Sequence, residues 1–366
     1  MILPFLPLYL LDLGATEENV AMWTAVVSSV IFLVGAICMP WWGALSDRVG
    51  KKKMILRSAG CLALAYFIGS LVQTPLELVG MRMFQGFSFG YFPISQSLLT
   101  AVAGTHASEA IGILMSGRGA GTVLGPFIGG LLAHFTGIRM SFVLAAAANV
   151  VTFIAIFCLI HEPKNSQPHH RVKIVESFKA LSHNHAFMTI FALMVVNQAA
   201  ILMINPIIAL HVADLKGSYE DVDLLSGLIV GSAGVAGMVS APLWGKFCQK
   251  SGVNRVIFYS FLGAGLFGLA QFLAPTVLTF GICQFGYGLF IIGGTTALTG
   301  AVAECIDPDM RGSAFGLLST AMNVGNFIGP LSGGFLASIA GMNAVFFASG
   351  LIQIGGALWI RHKEHP

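Results

Sequence analysis

The chain has 366 residues, 56% hydrophobic and only 10% charged, with a formal net charge of +3. A soluble domain carries roughly 25% charged residues, so the composition excludes a water-soluble globular protein, and no nucleic-acid partner is expected. What remains is an integral membrane protein whose useful unit is an apolar run of about 20 residues, enough to cross a hydrocarbon core of roughly 30 Å.

Twelve apolar segments fall near 1–13, 20–42, 54–72, 76–103, 110–134, 140–161, 187–212, 223–246, 255–273, 276–302, 312–337 and 343–361. An open sheet in lipid would leave backbone groups unpaired, and the runs lack the alternation of a transmembrane barrel, so the expected class is all-helical. Met1 is followed directly by apolar residues with no basic region or cleavage site, and no signal peptide is expected. Between the second and third segments lies Gly43 to Ile55, GALSDRVGKKKMI, a basic island that reads as a short cytoplasmic hinge. Its Arg48, Lys51, Lys52 and Lys53, with Arg57, place that side in the cytoplasm by the positive-inside rule. The other connections on that side carry Lys164, Arg171, Lys173, Lys179, Lys246, Lys250, Arg255, Arg311, Arg361 and Lys363. The opposite connections hold only Arg139 and Lys216 against Glu17, Glu18, Glu220 and Asp221, so both termini are expected inside.

Residues 162–186 form the one long polar connection and divide the chain into an N-terminal half, 1–161, and a C-terminal half, 187–366. Ile174, Val175, Phe178 and Leu181 recur there at helical spacing, which suggests an amphipathic helix on the inner membrane surface. His169, His170, His183 and His185 lack ligand spacing; no metal and no cofactor is expected. The six cysteines are scattered without C-x-x-C spacing and read as free thiols used in packing.

The two halves repeat each other. A shift of 202 brings Pro4 onto Pro206, Asp12 onto Asp214, Gly35 onto Gly237, Trp42 onto Trp244, Gly50 onto Gly252 and Gly86 onto Gly288. A shift of 204 brings Gly112 onto Gly316, Gly121 onto Gly325, Gly125 onto Gly329, Pro126 onto Pro330, Gly129 onto Gly333 and Gly130 onto Gly334. An even number of crossings separates the copies, so they are parallel repeats about an axis along the membrane normal, a plan of secondary transporters that place substrate between the halves. The fifth segment carries GTVLGPFIGG, from Gly121 to Gly130, and the eleventh GNFIGPLSGG. Glycine every fourth residue lets a neighbouring helix approach closely, and the proline at the same place in both copies permits a bend.

With these motifs the chain resembles a twelve-helix member of the major facilitator superfamily, within the drug/proton antiporters that include bacterial multidrug and tetracycline exporters. GALSDRVGKKKMI matches that superfamily's loop motif, supplying Gly43, Asp47, Arg48, Gly50, Lys51 and Lys52. LVGMRMFQGFSFG matches its helix-four motif through Arg82, Gln85 and Gly86, and Gly121, Gly125, Pro126, Gly129 and Gly130 match the helix-five motif of antiporters. ILPFLPLYLLDLG resembles the first helix of the multidrug subgroup. The resemblance implies the all-α membrane fold of two six-helix halves. It also makes Asp47 one half of a charge lock on the inner gate. The second copy of the loop motif, GKFCQKSGVNRVI, has no acid opposite Asp47, and no carboxylate sits near the middle of any segment as it does in several proton-coupled relatives.

A central arginine costs about 2.5–3.5 kcal/mol on insertion scales, which makes Arg118 and Arg82 candidates; their repeat partners, Met322 and Gln284, are uncharged. Arg118 is expected near the midplane, whereas Arg82 lies closer to the outer end and within reach of it by snorkelling. Asp12 and Asp214 occupy matching outer ends and read as interfacial caps, with proton binding the alternative. His134 and His211 read first as hydrogen-bonded structural histidines, with titration near neutral pH the alternative. Asn197, Gln198, Asn205, Asn323 and Asn326 are candidates to line a polar cavity or to bridge helices. GFSFG and GAGLFG spell a nucleophile elbow and a dinucleotide fingerprint, but inside membrane helices they lack the strand and turn those motifs need, and no enzyme is expected.

The expected function is proton-coupled export of small, largely apolar molecules across the bacterial inner or plasma membrane by a monomer. A dedicated exporter of a metabolite such as a siderophore, a nutrient symporter, and a non-transporting receptor or scaffold are the alternatives. The first segment, 13 residues, spans only about 20 Å at 1.5 Å per residue, and under the 202 shift Met1 falls on Met203. The first helix is therefore expected to be truncated at its cytoplasmic end, with a start upstream or a shortened form as the two explanations.

Overall fold

The computed structural model describes residues 5–103, 107–160, 181, 183–306 and 311–364. All the regular elements among them are helical: α1 (Leu6–Asp12), α2 (Val20–Val49), α3 (Lys51–Leu71), α4 (Pro75–Phe87), α5 (Tyr91–Ala103), α6 (Ala107–Thr136) and α7 (Ile138–Leu159) in the first half. The second half holds α8 (His185–Ile204), a 3-10 turn (Asn205–Ile207), α9 (Ile208–Lys216), α10 (Val222–Ser251), α11 (Val253–Phe272), α12 (Val277–Cys305), α13 (Arg311–Ala340) and α14 (Met342–Glu364). Each apolar segment contains helix, and two are interrupted. The fourth breaks between α4 and α5, the seventh at Asn205–Ile207, where Pro206 cannot donate a backbone hydrogen bond. By length and composition alone, eight spans among the described residues can cross a membrane. The glycine-rich α6 and α13 are each 30 residues long, about 45 Å. The amphipathic helix expected around 174–181 falls almost wholly outside the described residues.

The basic hinge is not a loop. α2 continues through Val49 and α3 starts at Lys51, so Gly50 alone makes the turn, at φ +106. A side chain is strained at such a φ, which explains the glycine there and at the repeat position, Gly252, at φ +85 between α10 and α11. A single residue suffices because both helices end at the membrane surface and need only reverse direction.

The repeat seen in the sequence is geometric. The Trp42 indole Nε1 donates to the Phe87 carbonyl at 2.8 Å, and Trp244 Nε1 to that of Leu289 at 2.7 Å, each pair shifted by 202. A β-carbon on Gly86 would meet the Ile31 carbonyl of α2 at 2.6 Å, and one on Gly288 would meet the carbonyl of Ala233, the repeat partner of Ile31, on α10. Thr74 and Thr276 cap α4 and α12 in the same way, each hydroxyl accepting from the backbone N–H three residues on.

The halves meet along two matching pairs, α6 against α10 and α2 against α13. A β-carbon on Gly130 would lie 3.0 Å from the Asp223 carbonyl and 3.2 Å from the Gly227 Cα; one on Gly334 would strike Ala25 and the Ala21 carbonyl at 2.7 Å. Ala21 and Ala25 are the partners of Asp223 and Gly227, so one contact is made twice about a two-fold axis. Both copies lie toward the end opposite Gly50 and Gly252, which the charge distribution makes the outer face. Toward the cytoplasm, Ile37 and Trp41 of α2 and Gly316 of α13 are exposed. The seam is thus closed outside and splayed inside.

Candidate functional site

The splayed side presents polar stripes. On α13, Gly316, Ser319, Thr320, Asn323 and Asn326 follow each other at helical spacing, the first three exposed and the asparagines half-buried. On α6 the matching surface carries exposed Gly117, Arg118, Gly121 and Thr122. The hydroxyls of Thr122, Ser319 and Thr320 donate to carbonyls of their own helices, whereas an exposed arginine is expensive against hydrocarbon, which makes these stripes candidates to line an opening between the halves. Arg118 sits eleven residues into α6, about 16 Å along its axis. Its guanidinium lies 4.3 Å from the centroid of the Phe92 ring on α5, a cation–π contact.

Arg82 behaves differently. It is buried, 5% exposed, and does not reach the outer surface. Its Nη1 donates to Gln85 Oε1 at 3.0 Å, while Nε and Nη2 have no hydrogen-bond partner among the described residues. The repeat position holds Gln284, which accepts from Gln271 Nε2 at 2.7 Å.

The amides of α8 divide into two groups. Gln198 Nε2 donates to Asn326 Oδ1 at 3.4 Å, bringing together two of the residues expected to line a cavity. Asn197 is fully buried, donating to Thr295 Oγ1 at 3.0 Å and accepting from Gln353 Nε2 at 3.2 Å. It therefore bridges α8 to α12 and α14. Asn205 opens the 3-10 turn, and Asp12 stands exposed at the end of α1.

Along the inner surface, Lys51 Nζ donates to the Ser97 carbonyl at 3.2 Å and Lys52 Nζ to that of Phe157 at 2.8 Å. Arg48 is exposed, Gly43 has open space beside it, and Asp47 lies in the last turn of α2. Arg57 stacks 3.5 Å above the Trp42 ring and donates to the Phe89 carbonyl at 3.0 Å. Together, Trp42 and Arg57 take the carbonyls of Phe87 and Phe89 at the break between α4 and α5, where Gly90 adopts φ +112. Non-helical backbone at membrane depth needs such partners. The second half has Ile292 in place of Gly90, and α12 runs unbroken.

The glycine motifs of α6 and α13 are not equivalent in their packing. β-carbons on Gly325 and Gly329 would meet the carbonyls of Val195 and Ala199 on α8 at 2.6 and 2.5 Å, so these glycines seat α8 directly on α13. Gly117 and Gly121 have nothing within 4 Å among the described residues. Gly125 and Gly129 continue that face of α6, Pro126 lies within the helix, and Gly130 closes the seam.

On the outer face His134 Nδ1 lies 3.5 Å from Asp221 Oδ1 and 3.7 Å from Asp223 Oδ1, and Tyr219 OH donates to Glu17 Oε1 at 3.1 Å, both joining one half to the other. Burial first, then that bond to Glu17, raises the Tyr219 hydroxyl above the ordinary tyrosine range. These pairs, and the contacts of Phe92, Thr295, Gln353 and Arg57, escaped sequence reasoning: their partners lie far along the chain at spacings that no motif marks. A hollow of about 570 Å³ lies inside the second half, lined among others by Thr189, Val253, Asn254, Arg255 and Cys305. It occupies the place into which Lys51 extends in the first half and is remote from the seam.

The profile of the Major Facilitator Superfamily matches residues 1–240 and again 190–366. The multidrug resistance protein MdtG of Proteus mirabilis is 32% identical over 357 residues, covering 95% of this chain and 87% of that protein. MdtG of Escherichia coli K12 is 30% identical over 377 residues, covering 100% and 91%. Among solved structures, the nucleoside transporter NupG superposes with a TM-score of 0.78 at 16% identity, covering 100% of this chain and 98% of that one. A bacterial homologue of the human lysosomal transporter Spinster, inward-facing and occupied, gives 0.81 at 14% identity, covering 99% and 92%. At such identities the likeness to these structures concerns the fold.

Proposed function

Because this chain belongs to the major facilitator superfamily, we propose that it exports small, largely apolar compounds from the cytoplasm in exchange for protons, by alternating access between residues 1–161 and 187–366, with 162–186 as their linker. The observation that carries this reading is the likeness, over essentially the whole chain, to proteins named for multidrug resistance. The geometry supports it in three respects. The seam is closed outside and splayed inside, the state in which an exporter accepts its load. Arg118, Asn323, Asn326 and Gln198 border the opening and are the substrate-facing candidates. Two proline-bearing helices, α6 and α13, cross both seam and opening, so a bend in each converts one state to the other.

In this reading Arg118 holds an anionic part of the substrate or sets the proton affinity of a neighbouring group, and Asp47 with the basic cluster of the loop motif closes the inner gate. The protein acts as a monomer in the bilayer. No ATP-binding motif occurs in the sequence, so uphill transport draws on an ion gradient or a partner, and in this reading on the proton gradient. Expression in an efflux-deficient bacterium, grown against a broad panel of antimicrobial compounds, tests the assignment: tolerance should rise toward several chemically unrelated compounds. Protection against a single compound would favour a dedicated metabolite exporter, and increased sensitivity would indicate uptake.

A further inference from the structure

We infer that His134, facing Asp221 and Asp223 across the outer seam, is a binding site for a proton from the outer solution, and that its occupation holds the halves together on that side. The argument rests on the seam's geometry and not on the export reading. Gly130 lies close enough to the Asp223 carbonyl and to Gly227 that α6 and α10 touch through their backbones. One turn beyond Gly130, His134 stands in the last turn of α6 with Nδ1 3.5 and 3.7 Å from the two carboxylates. Its side chain is 31% exposed and that of Asp221 47%, so a proton reaches the site from outside while the seam is shut.

Both helix ends favour the charged pair. α6 terminates beside the imidazole and α10 begins at Val222 beside the carboxylates, so the cation faces the negative pole of one helix and the anions the positive pole of the other. The other charged groups of these outer turns are Glu17, Glu18, Arg139, Asp214, Lys216 and Glu220. Lys216 Nζ stands 3.7 Å from Asp221 Oδ2 and donates to the Glu220 carbonyl, and Asp223 Oδ1 accepts from the Leu224 N–H. Glu17 is engaged by Tyr219, Phe135 sets its ring against the imidazole, and on α7 Arg139 turns to the Val72 carbonyl. α1 approaches Gly130 through the Phe5 ring, with Asp12 at its far end.

A neutral imidazole draws the halves together weakly. An imidazolium attracts two carboxylates on the other half, and that attraction exists only when the seam is closed. By linkage, acid outside favours the closed seam, and the gain fades as the outer solution becomes alkaline. Because the site communicates with the outer side in the closed state as well, the proton returns to the side it came from. It is therefore separate from any proton carried across the membrane.

The test uses nitroxide labels at Gln73→Cys and Leu273→Cys, exposed on the outer turns of the two halves, in full-length protein whose native cysteines are replaced, reconstituted in nanodiscs. Distance distributions are compared between about pH 5.5 and about pH 8. The ratio of closed to open populations should rise about two- to five-fold on acidification, the scale of exposed ion pairs. His134→Gln should at least halve the response, leaving no more than the part due to a transported proton, His134→Lys should hold the seam closed at both pH values, and Asp221→Asn with Asp223→Asn should reduce the response as His134→Gln does while keeping the histidine. A parent that does not respond, or a His134→Gln variant that responds as the parent does, overturns the proposal.

Discussion

Arg82 and Arg118 are both arginines within membrane-spanning helices, and their surroundings assign them different work. Arg82 keeps a guanidinium almost out of solvent with one neutral partner, an arrangement that costs the fold more than the glutamine at the repeat position. Arg82→Gln should therefore raise unfolding stability by about 1–3 kcal/mol and lower transport sharply, measured by thermal unfolding in detergent alongside substrate flux. Parental transport by that variant would mean the charge is dispensable. Arg118, exposed beside Phe92, faces water instead, and its loss should leave stability within about 0.5 kcal/mol of the parent. Flux should survive partly in Arg118→Lys, which keeps the charge, and fall at least about tenfold, roughly 1.4 kcal/mol of binding or barrier, in Arg118→Met, the residue at its repeat position.

At the level of elements, the two copies of the glycine motif make opposite predictions. Gly325→Ala pushes a β-carbon into the Val195 carbonyl, and overpacking of this kind costs about 1–3 kcal/mol. Gly121→Ala meets open space and should be neutral or gain up to about 1 kcal/mol, since alanine is the better helix former. Comparing the two variants by thermal unfolding checks the asymmetry; equal losses would contradict it. Much of this level was legible in the sequence, because hydrophobic length fixes where helices cross and because glycine and proline mark the repeat. The helical hinge was not. A polar, charged stretch reads as loop, yet only Gly50 needs a conformation that a helix cannot supply. The break between α4 and α5 was hidden for the converse reason, since it lies in an apolar run and is stabilised by Trp42 and Arg57 from other helices. The polar stripe of α13 was half visible: Asn323 and Asn326 stood out, but which face they share with Ser319 and Thr320 depends on packing.

For the whole molecule, the paired seam ties the halves together at two places, so the proposed cycle moves them as units. Each contact on one side of the two-fold axis has its counterpart on the other, so opening one without the other would separate Gly130 from α10 while Gly334 still held α2. In the proposed cycle the inner gate closes by the loop motif. Asp47→Asn should shift the population toward inward-open states and slow transport without preventing insertion, read by alkylation of single cysteines placed in the cytoplasmic opening. Unchanged labelling and unchanged flux would remove Asp47 from the gate.

The proton-coupled exchange itself is most directly tested in energised inverted membrane vesicles, with a compound that the growth panel identifies. Adding that compound should release protons from the acidified lumen while the compound accumulates inside, and collapsing the proton gradient should abolish both. Accumulation that continues at the same rate after the gradient has been collapsed would contradict the account.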